Sequence, residues 1–322
     1  ENLYNKIDLL CGGPPCQGMS LAGKRLADDP RNELFKSFID AVQITQPKIF
    51  IMENVPGLLS INNGAINNAI LTAFSEIGYN HFVDHAPCVL KAECYGVPQI
   101  RRRLFYVGFR FDLSPELRNW PPKKMYQEFS LKKFDQQKMG SLFEDEFAEP
   151  VTVEDAISDL PYLKSGEGAN ELEYLASPSE LSDFQTYARD WSNAPSKINL
   201  PLIYNHEAPK HTEKLIEMIS NAAPGTSVDP KYTDSKKWHP KRPGYTVKAL
   251  GAGGGSTNRR AFHYDKDQLR GSTVRENARI QSFPDWYRFY SSKTNQMTQV
   301  GNAVPPLLAK TIAETIIAKL KK

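Results

Sequence analysis

Two short segments of the chain carry side chains that could act together in catalysis. Residues 12–17 read Gly-Gly-Pro-Pro-Cys-Gln, so Cys16 lies in a loop stiffened by two prolines, and Glu53 begins a segment Glu-Asn-Val-Pro-Gly. Each segment directly follows a short apolar run, and ligands of wound α/β sheets bind beyond the carboxyl ends of the strands. The sequence therefore predicts a thiol and a carboxylate side by side in one cleft.

A third segment, residues 99–103, supplies positive charge to this predicted cleft. It reads Gln-Ile-Arg-Arg-Arg, and in an extended chain Arg101 and Arg103 project from the same face. A reactive thiolate needs positive surroundings to lower its pKa, so Cys16 is a candidate nucleophile. The residues alone leave two alternatives open: a buried apolar cysteine and a solvated basic strand edge.

Alternating apolar runs and helical patterns in the first hundred residues predict an α/β fold wound on a parallel sheet. The predicted strands are residues 7–11, 49–52 and 104–109. The predicted helices, including later ones, are residues 31–45, 65–77, 210–220, 274–281 and 305–320.

Changes of composition along the 322 residues predict two lobes. Residues 1–110 are assigned to a catalytic domain. Residues 111–245 are rich in proline and charged residues and lack a sustained period, which predicts a separate irregular domain. Residues 246–322 are expected to return to the catalytic domain.

The overall charge balance excludes little. Forty basic residues stand against 37 acidic ones, so a nucleic-acid surface would have to come from local clustering. Four cysteines without a leader that resembles a signal peptide favour a cytoplasmic protein with free thiols. No stretch predicts a membrane span, and no residue spacing predicts a metal site.

Five blocks, in this order, resemble the signature blocks of carbon-5 cytosine methyltransferases. They are residues 12–17 with Ser20, Glu53-Asn54-Val55, Gln99-x-Arg101-x-Arg103, the Arg-Thr-Arg-Glu-Ala-Arg-Gln-Phe-Pro pattern within residues 270–284, and Gly301-Asn302-Ala303-Val304-Pro305. The resemblance covers both ends of the chain. It implies a partial Rossmann-like methyltransferase sheet and makes residues 111–245 a smaller, irregular target-recognition domain.

The resemblance also implies residue roles. Cys16 would add to carbon 6 of a flipped cytosine, Glu53 would hold or protonate N3, and Arg101 and Arg103 would orient the base. The residues expected to contact DNA are Gln17, Ser20, Lys24, Arg25, Gln99, Arg259 and Arg260. The residues expected to contact S-adenosyl-L-methionine are Pro15, Leu34, Asn302 and Ala303.

The implied substrate is double-stranded DNA, and the implied setting is a restriction-modification system in the cytoplasm of a prokaryote, associated with the nucleoid. A family member places a glycine-rich block and two acidic positions before the Pro-Cys block, but only fifteen residues precede Cys16 here. We therefore expect a second polypeptide, or an N-terminal piece outside this sequence, to supply that half of the cofactor site.

Two other functions remain open at this point. A tRNA cytosine-5 methyltransferase would share the same blocks, although the Cys-Phe-Thr element of those enzymes is absent from this sequence. A non-catalytic DNA-binding or regulatory subunit could retain the fold, although the presence of Cys16, Glu53, Arg101 and Arg103 argues against it.

Overall fold

The computed structural model describes residues 3–15, 34–81, 87–112, 120–131, 134, 147–174, 181–194, 202–231, 234–249 and 261–320. Contacts divide the chain into two units. The first unit comprises Glu1–Lys91, Arg102–Lys123 and Thr315–Lys322, and the second comprises Ala92–Arg101 and Lys124–Glu314. These boundaries differ from the predicted domains, because residues 246–314 group with residues 124–245 in the second unit.

Within the described residues, a five-stranded sheet forms the centre of the first unit. Its strands are β1 (Leu9–Gly12), β2 (Ile49–Asn54), β3 (Tyr79–His81), β4 (Cys88–Lys91) and β5 (Arg102–Arg110). β1 and β2 pair in parallel, β2 pairs antiparallel with β5, and β3 and β4 share the other edge of β5, both antiparallel. The α/β class is confirmed, but the sheet is mixed where a parallel one was predicted.

The connection before β5 explains its reversed direction. β4 and β5 are neighbours joined by residues 92–101, which contain a short 3-10 helix, Ala92–Tyr95. Antiparallel neighbours can be joined by such a short segment, whereas a parallel pair needs a crossover of a dozen or more residues, usually a helix. A hydrophobic run such as residues 104–109 predicts a strand but carries no information about its direction.

Two amphipathic helices pack on the sheet of the first unit. They are α1 (Leu34–Thr45) and α2 (Ala65–Glu76), and they follow the predicted helices closely. α1 buries Ile39 and Val42. α2 places Phe74 against Phe50 of β2 with ring centroids 4.0 Å apart. Apolar contacts of this kind fix the helices on the strands, because burying a large apolar side chain contributes roughly 1.5–3 kcal/mol.

The second unit contains more regular structure than the predicted irregular domain. Its elements in the described residues are the antiparallel pair β6 (Gly168–Glu173) and β7 (Leu202–Glu207), and the helices α3 (Val153–Ile157), α4 (Asp183–Ala188), α5 (Glu213–Asn221), α6 (Val274–Ile280), α7 (Lys293–Asn302) and α8 (Pro306–Leu320), the last of which ends in the first unit. Reciprocal capping boxes begin α3, α4 and α6. Several of these elements are too short for a period to emerge, so composition alone predicted an irregular chain.

Every residue of α6 is buried, including two arginines. Arg275 donates to the carbonyl oxygens of Tyr204, Pro284 and Tyr287. Arg279 donates to both carboxylate oxygens of Asp285, at 2.9 and 2.6 Å. The 270–284 block therefore forms the polar core of the second unit, where its charges are paired as burial requires.

We expect Asp285→Asn to reduce the free energy of unfolding by roughly 1–3 kcal/mol, because the buried Arg279 loses one of its two carboxylate partners while Asp159 stays paired with it. Burial by itself would raise the pKa of Asp285, but the attraction of Arg279 lowers it below its ordinary value. The contribution of Asp285 is therefore complete above the pKa of an unfolded aspartate, about 3.9, and is lost as the pH falls through the lower folded pKa.

Urea unfolding at pH 7 and at pH 3 would measure this effect. The difference in the free energy of unfolding between Asp285→Asn and wild type should be smaller at pH 3 than at pH 7. Glu314→Gln is the matched control, since its exposed pair with Lys310 is worth at most about 1 kcal/mol. Equal stability of Asp285→Asn and Glu314→Gln at pH 7 would contradict a structural role for the buried pair.

No helix in the described parts of the chain is both long and apolar enough to cross a membrane.

Candidate active site

An ion pair lies at the end of β2 in the first unit. Arg103 Nε lies 2.8 Å from Glu53 Oε1, and the two side chains retain only 16% and 20% of their exposure. Burial lowers the pKa of Arg103, while the charge and hydrogen bond of Glu53 oppose that shift. Guanidinium groups stay protonated in proteins, so a half-buried cation holds one oxygen of the carboxylate.

The reversed direction of β5 creates this pair. Glu53, near the carboxyl end of β2, lies opposite Phe105, so Arg103 at the start of β5 falls beside it. In a parallel pair, the start of one strand would lie far from the carboxyl end of its neighbour, because both strands run in the same direction. The predicted meeting of Glu53 and Arg103 is therefore observed, but it depends on a strand direction that was not predicted.

The segment leading toward Cys16 lies against the same carboxylate. β1 and β2 are parallel with Gly12 opposite Met52, so both strands end at the same edge of the sheet. A Cβ atom on Gly13 would lie 3.3 Å from Glu53 Oε2. Glu53 thus directs one oxygen to Arg103 and the other to the Gly-Gly-Pro-Pro loop.

Asn54, of the Glu53-Asn54-Val55 block, links the two segments. Its side chain is buried, its amide donates to the Pro14 carbonyl at 3.3 Å, and its Oδ1 accepts from the Val55 N–H at 2.8 Å. An asparagine directly after the candidate acid was the available signal, because its amide can bridge two backbone segments.

Several of the residues predicted to act in catalysis or to contact DNA lie outside the described ranges. Those outside them are Cys16, Gln17, Ser20, Lys24, Arg25, Arg259 and Arg260. Their roles stay predictions from the sequence.

Arg101 and Gln99 differ from expectation. Both belong to the second unit and are buried, at 1% and 0% exposure. Arg101 donates to the Val247, Gly301 and Ala303 carbonyls. Both side chains make hydrogen bonds within their own unit, and the expected contacts of Arg101 with the base and of Gln99 with DNA stay predictions.

The predicted cofactor residues are distributed over both units. In the first, Pro15 is exposed after β1, and Leu34 at the start of α1 is 38% exposed. In the second, α7 ends at Asn302 because Ala303 is extended, as residues close before Pro305-Pro306 are expected to be. The Asn302 side chain is exposed. The contacts of these residues with S-adenosylmethionine stay predictions from the sequence.

Several lysines of the second unit between residues 236 and 248 have partners within that unit. Lys241 pairs with Glu154, and Lys248 Nζ lies 2.8 Å from Asp234 Oδ2. Lys237 is buried and donates to the Ile219 carbonyl. The charges of Lys237, Lys241 and Lys248 are therefore held by groups of the second unit.

A mixed α/β sheet with this site is the architecture of a DNA methyltransferase. The chain superposes with a TM-score of 0.69 on a prophage-encoded protein of E. coli, described as a candidate DNA modification methyltransferase, at 26% identity over 98% of this chain and 80% of that one. The S. pombe Dnmt2 methyltransferase shares the fold with a TM-score of 0.51 at 14% identity, covering 98% of this chain and 79% of that one.

The chain belongs to the C-5 cytosine-specific DNA methylase family, whose model matches residues 1–318. It is 34% identical to the Type II methyltransferase M.DdeI of Desulfomicrobium norvegicum, over 96% of this chain and 72% of that protein. It is also 34% identical to the Type II methyltransferase M1.HphI of Haemophilus parahaemolyticus, over 98% of this chain and 69% of that protein. The chain is thus a DNA (cytosine-5-)-methyltransferase, and enzymes of this family use S-adenosyl-L-methionine.

The expected second polypeptide finds no support in these comparisons. Each relative contains counterparts of nearly the whole chain within one polypeptide.

Proposed function

We propose that this chain methylates carbon 5 of a cytosine within a specific sequence of duplex DNA, through a covalent adduct with Cys16. The observation that supports this most is the position of Glu53, whose carboxylate pairs with Arg103 through one oxygen and has its other oxygen 3.3 Å from the place a Cβ atom on Gly13 would take. Gly13 and Cys16 are three peptide units apart, which limits their Cα atoms to about 11 Å.

The reaction begins with the Cys16 thiolate, which adds to carbon 6 of the cytosine. Negative charge then spreads to N3, where the Glu53 carboxyl group holds or donates the proton that neutralises it. Arg103 fixes that carboxyl group and places a positive charge nearby. Carbon 5 becomes the nucleophile, and S-adenosylmethionine, when bound, supplies an electrophilic methyl group.

The reaction ends with elimination. A water molecule accepts the carbon 5 hydrogen as a proton, the electron pair re-forms the carbon 5–carbon 6 double bond, and Cys16 leaves as a thiolate. The thiolate cannot reach carbon 6 in a stacked duplex, so the cytosine must leave the helix at a cost of a few kcal/mol. The name shared by the bacterial relatives, Type II methyltransferase, supports a place in a restriction-modification system.

The experiment that tests this function supplies the chain with tritiated S-adenosylmethionine and a duplex library. The product is digested to nucleosides and identified by mass spectrometry, and bisulfite sequencing gives the target sequence. We expect 5-methylcytosine in DNA and a denaturant-resistant adduct on duplexes that contain 5-fluorocytosine. Methylation of the exocyclic amine, methylation without an adduct, or a preference for tRNA would contradict the proposal.

We expect Asn302→Ala to weaken binding of S-adenosylmethionine about three- to tenfold, as loss of one hydrogen bond would. Binding of DNA should stay within about twofold, because surface substitutions away from a ligand usually change free energies by less than 0.5 kcal/mol. Calorimetric titration of S-adenosylhomocysteine and fluorescence anisotropy of labelled DNA would measure the two affinities.

Asn295→Ala on the same helix is the matched control, since Asn295 is also exposed and its amide donates to Ser291 near the start of α7. Equal cofactor affinity of the two variants would remove Asn302 from the site.

A further inference from the structure

Both terminal nitrogens of the Arg101 side chain donate to backbone carbonyl groups of its own unit. Its Nη1 donates to the Val247 carbonyl at 3.0 Å, and its Nη2 donates to the carbonyls of Gly301 and Ala303 at 2.8 and 3.1 Å. The guanidinium thus ties residue 247 to the turn that carries Asn302. Arginine suits this task, because its planar fork presents several donors in fixed directions.

A pair of glutamines makes the same connection a second time. Gln281 donates to the Ala303 carbonyl at 2.6 Å and accepts a hydrogen bond from Gln99. Gln99 in turn accepts from the Val247 N–H at 3.1 Å. Gln99 and Gln281 are both 0% exposed, so these bonds form where water does not compete.

The two tied segments also touch through their backbones. A Cβ atom on Gly301 would lie 2.3 Å from the Ala249 nitrogen and 2.5 Å from the Lys248 carbonyl carbon. No side chain fits between them, and only glycine permits this approach. The turn at residues 301–303 therefore rests on residues 247–249 and is held there by Arg101, Gln99 and Gln281.

We propose that Arg101 is a positioning residue that, with Gln99 and Gln281, fixes the turn at residues 301–303 and so presents Asn302 to the cofactor. Arg101 then acts through Gly301 and Ala303 and does not touch the base. This inference rests on the proposed function for its consequence in catalysis. Its structural part, the ordering of the turn, is independent of activity.

Hydrogen exchange of the full chain without cofactor tests the structural part. In Arg101→Lys the ammonium group cannot serve the same set of diverging carbonyls, so amide exchange of residues 299–304 should accelerate about tenfold. Gln281→Met removes a single donor to the turn and should accelerate amide exchange of the same residues about threefold. Lys310→Met, which deletes a solvent-exposed cation of the same unit, should leave exchange unchanged.

Titration with S-adenosylhomocysteine and steady-state kinetics test the catalytic consequence. Arg101→Lys should raise the dissociation constant of S-adenosylhomocysteine about tenfold and the KM for S-adenosylmethionine by a similar factor. The kcat at saturating cofactor should fall less than about threefold. A kcat lowered more than about a hundredfold, with exchange and affinity unchanged, would place Arg101 on the base and overturn the inference.

The design separates this inference from the proposed function. If the wild-type chain formed no 5-methylcytosine, the function would fail, and the exchange experiment would still decide whether Arg101 orders the turn. If Arg101→Lys failed to fold, Gln281→Met would decide instead, since it retains Arg101. Unaltered exchange in Gln281→Met would overturn the inference in that case.

Discussion

Cys16→Ser is expected to lower methyl transfer by at least about 10³-fold, because serine cannot supply the nucleophile that carbon 6 requires at neutral pH. An ordinary thiol has a pKa near 8.5, so several per cent is thiolate at pH 7.5 even before positive surroundings increase that fraction. A serine hydroxyl is almost wholly protonated there and is not activated by a neighbouring base in the proposed mechanism. Single-turnover transfer of a tritiated methyl group would measure the loss.

The same variant should bind duplex DNA within about threefold of wild type, because the substitution exchanges one atom and removes no charged DNA contact. It should also form no adduct with 5-fluorocytosine DNA. Turnover close to wild type in Cys16→Ser would rule out the covalent mechanism.

Cys11→Ser is the matched control for this experiment. Cys11 lies in β1, has a free thiol, and burial raises its pKa, so it is a poorer source of thiolate than an ordinary cysteine. We expect its activity within about twofold of wild type. If Cys11→Ser lost the adduct and Cys16→Ser kept it, Cys11 would be the nucleophile and the proposal would be wrong.

Glu53→Gln is expected to lower kcat by about 10²- to 10³-fold, the range typical of a lost general acid or base. The amide keeps the shape of the side chain but cannot carry the proton exchanged with N3, and it leaves Arg103 without its charge partner. Pre-steady-state quench-flow measurement on saturating DNA and cofactor would isolate the chemical step. DNA affinity should change far less than the rate.

A double-mutant cycle with Arg103→Met examines whether the pair acts as a unit. If Arg103 works by holding Glu53, the double variant should be little worse than Glu53→Gln alone, since residues that share one task are non-additive. Fully additive losses would indicate that Arg103 contacts the substrate independently of Glu53.

Asp112→Asn provides the control for deleting a carboxylate from an arginine pair. Asp112 lies 2.8 Å from Arg110 just past the far end of β5, and because the Asp112 side chain is 60% exposed, this pair should contribute little to stability or rate. Activity should stay within about twofold. A loss as large as that of Glu53→Gln would mean that both substitutions merely weaken the sheet.

The strand–helix pattern of the first unit could be predicted because its elements have clear local periods. α1, α2, β2 and β5 lie within a few residues of their predicted positions. The short helices α3 and α4 and the β6–β7 pair could not be predicted in this way, since five- and six-residue elements depend on caps and on packing more than on period.

The candidate site was predicted in part. Glu53 and Arg103 were expected to meet and do so, with Gly13 beside the carboxylate. Arg101 was expected to join them and instead binds carbonyl groups 146, 200 and 202 residues away in the sequence. Partners so distant leave no local pattern that would separate Arg101 from Arg103.

The sequence by itself determined the chemistry available to this protein: the order of its five blocks, the thiol and carboxylate after successive strands, and the family to which it belongs. Side-chain types and short-range spacing are local properties, so they can be read from the chain. The tertiary structure decided the direction of β5, which brings Arg103 to Glu53, and the burial of Arg101. Both follow from which surfaces pack together, and packing depends on contacts between residues that the sequence holds far apart.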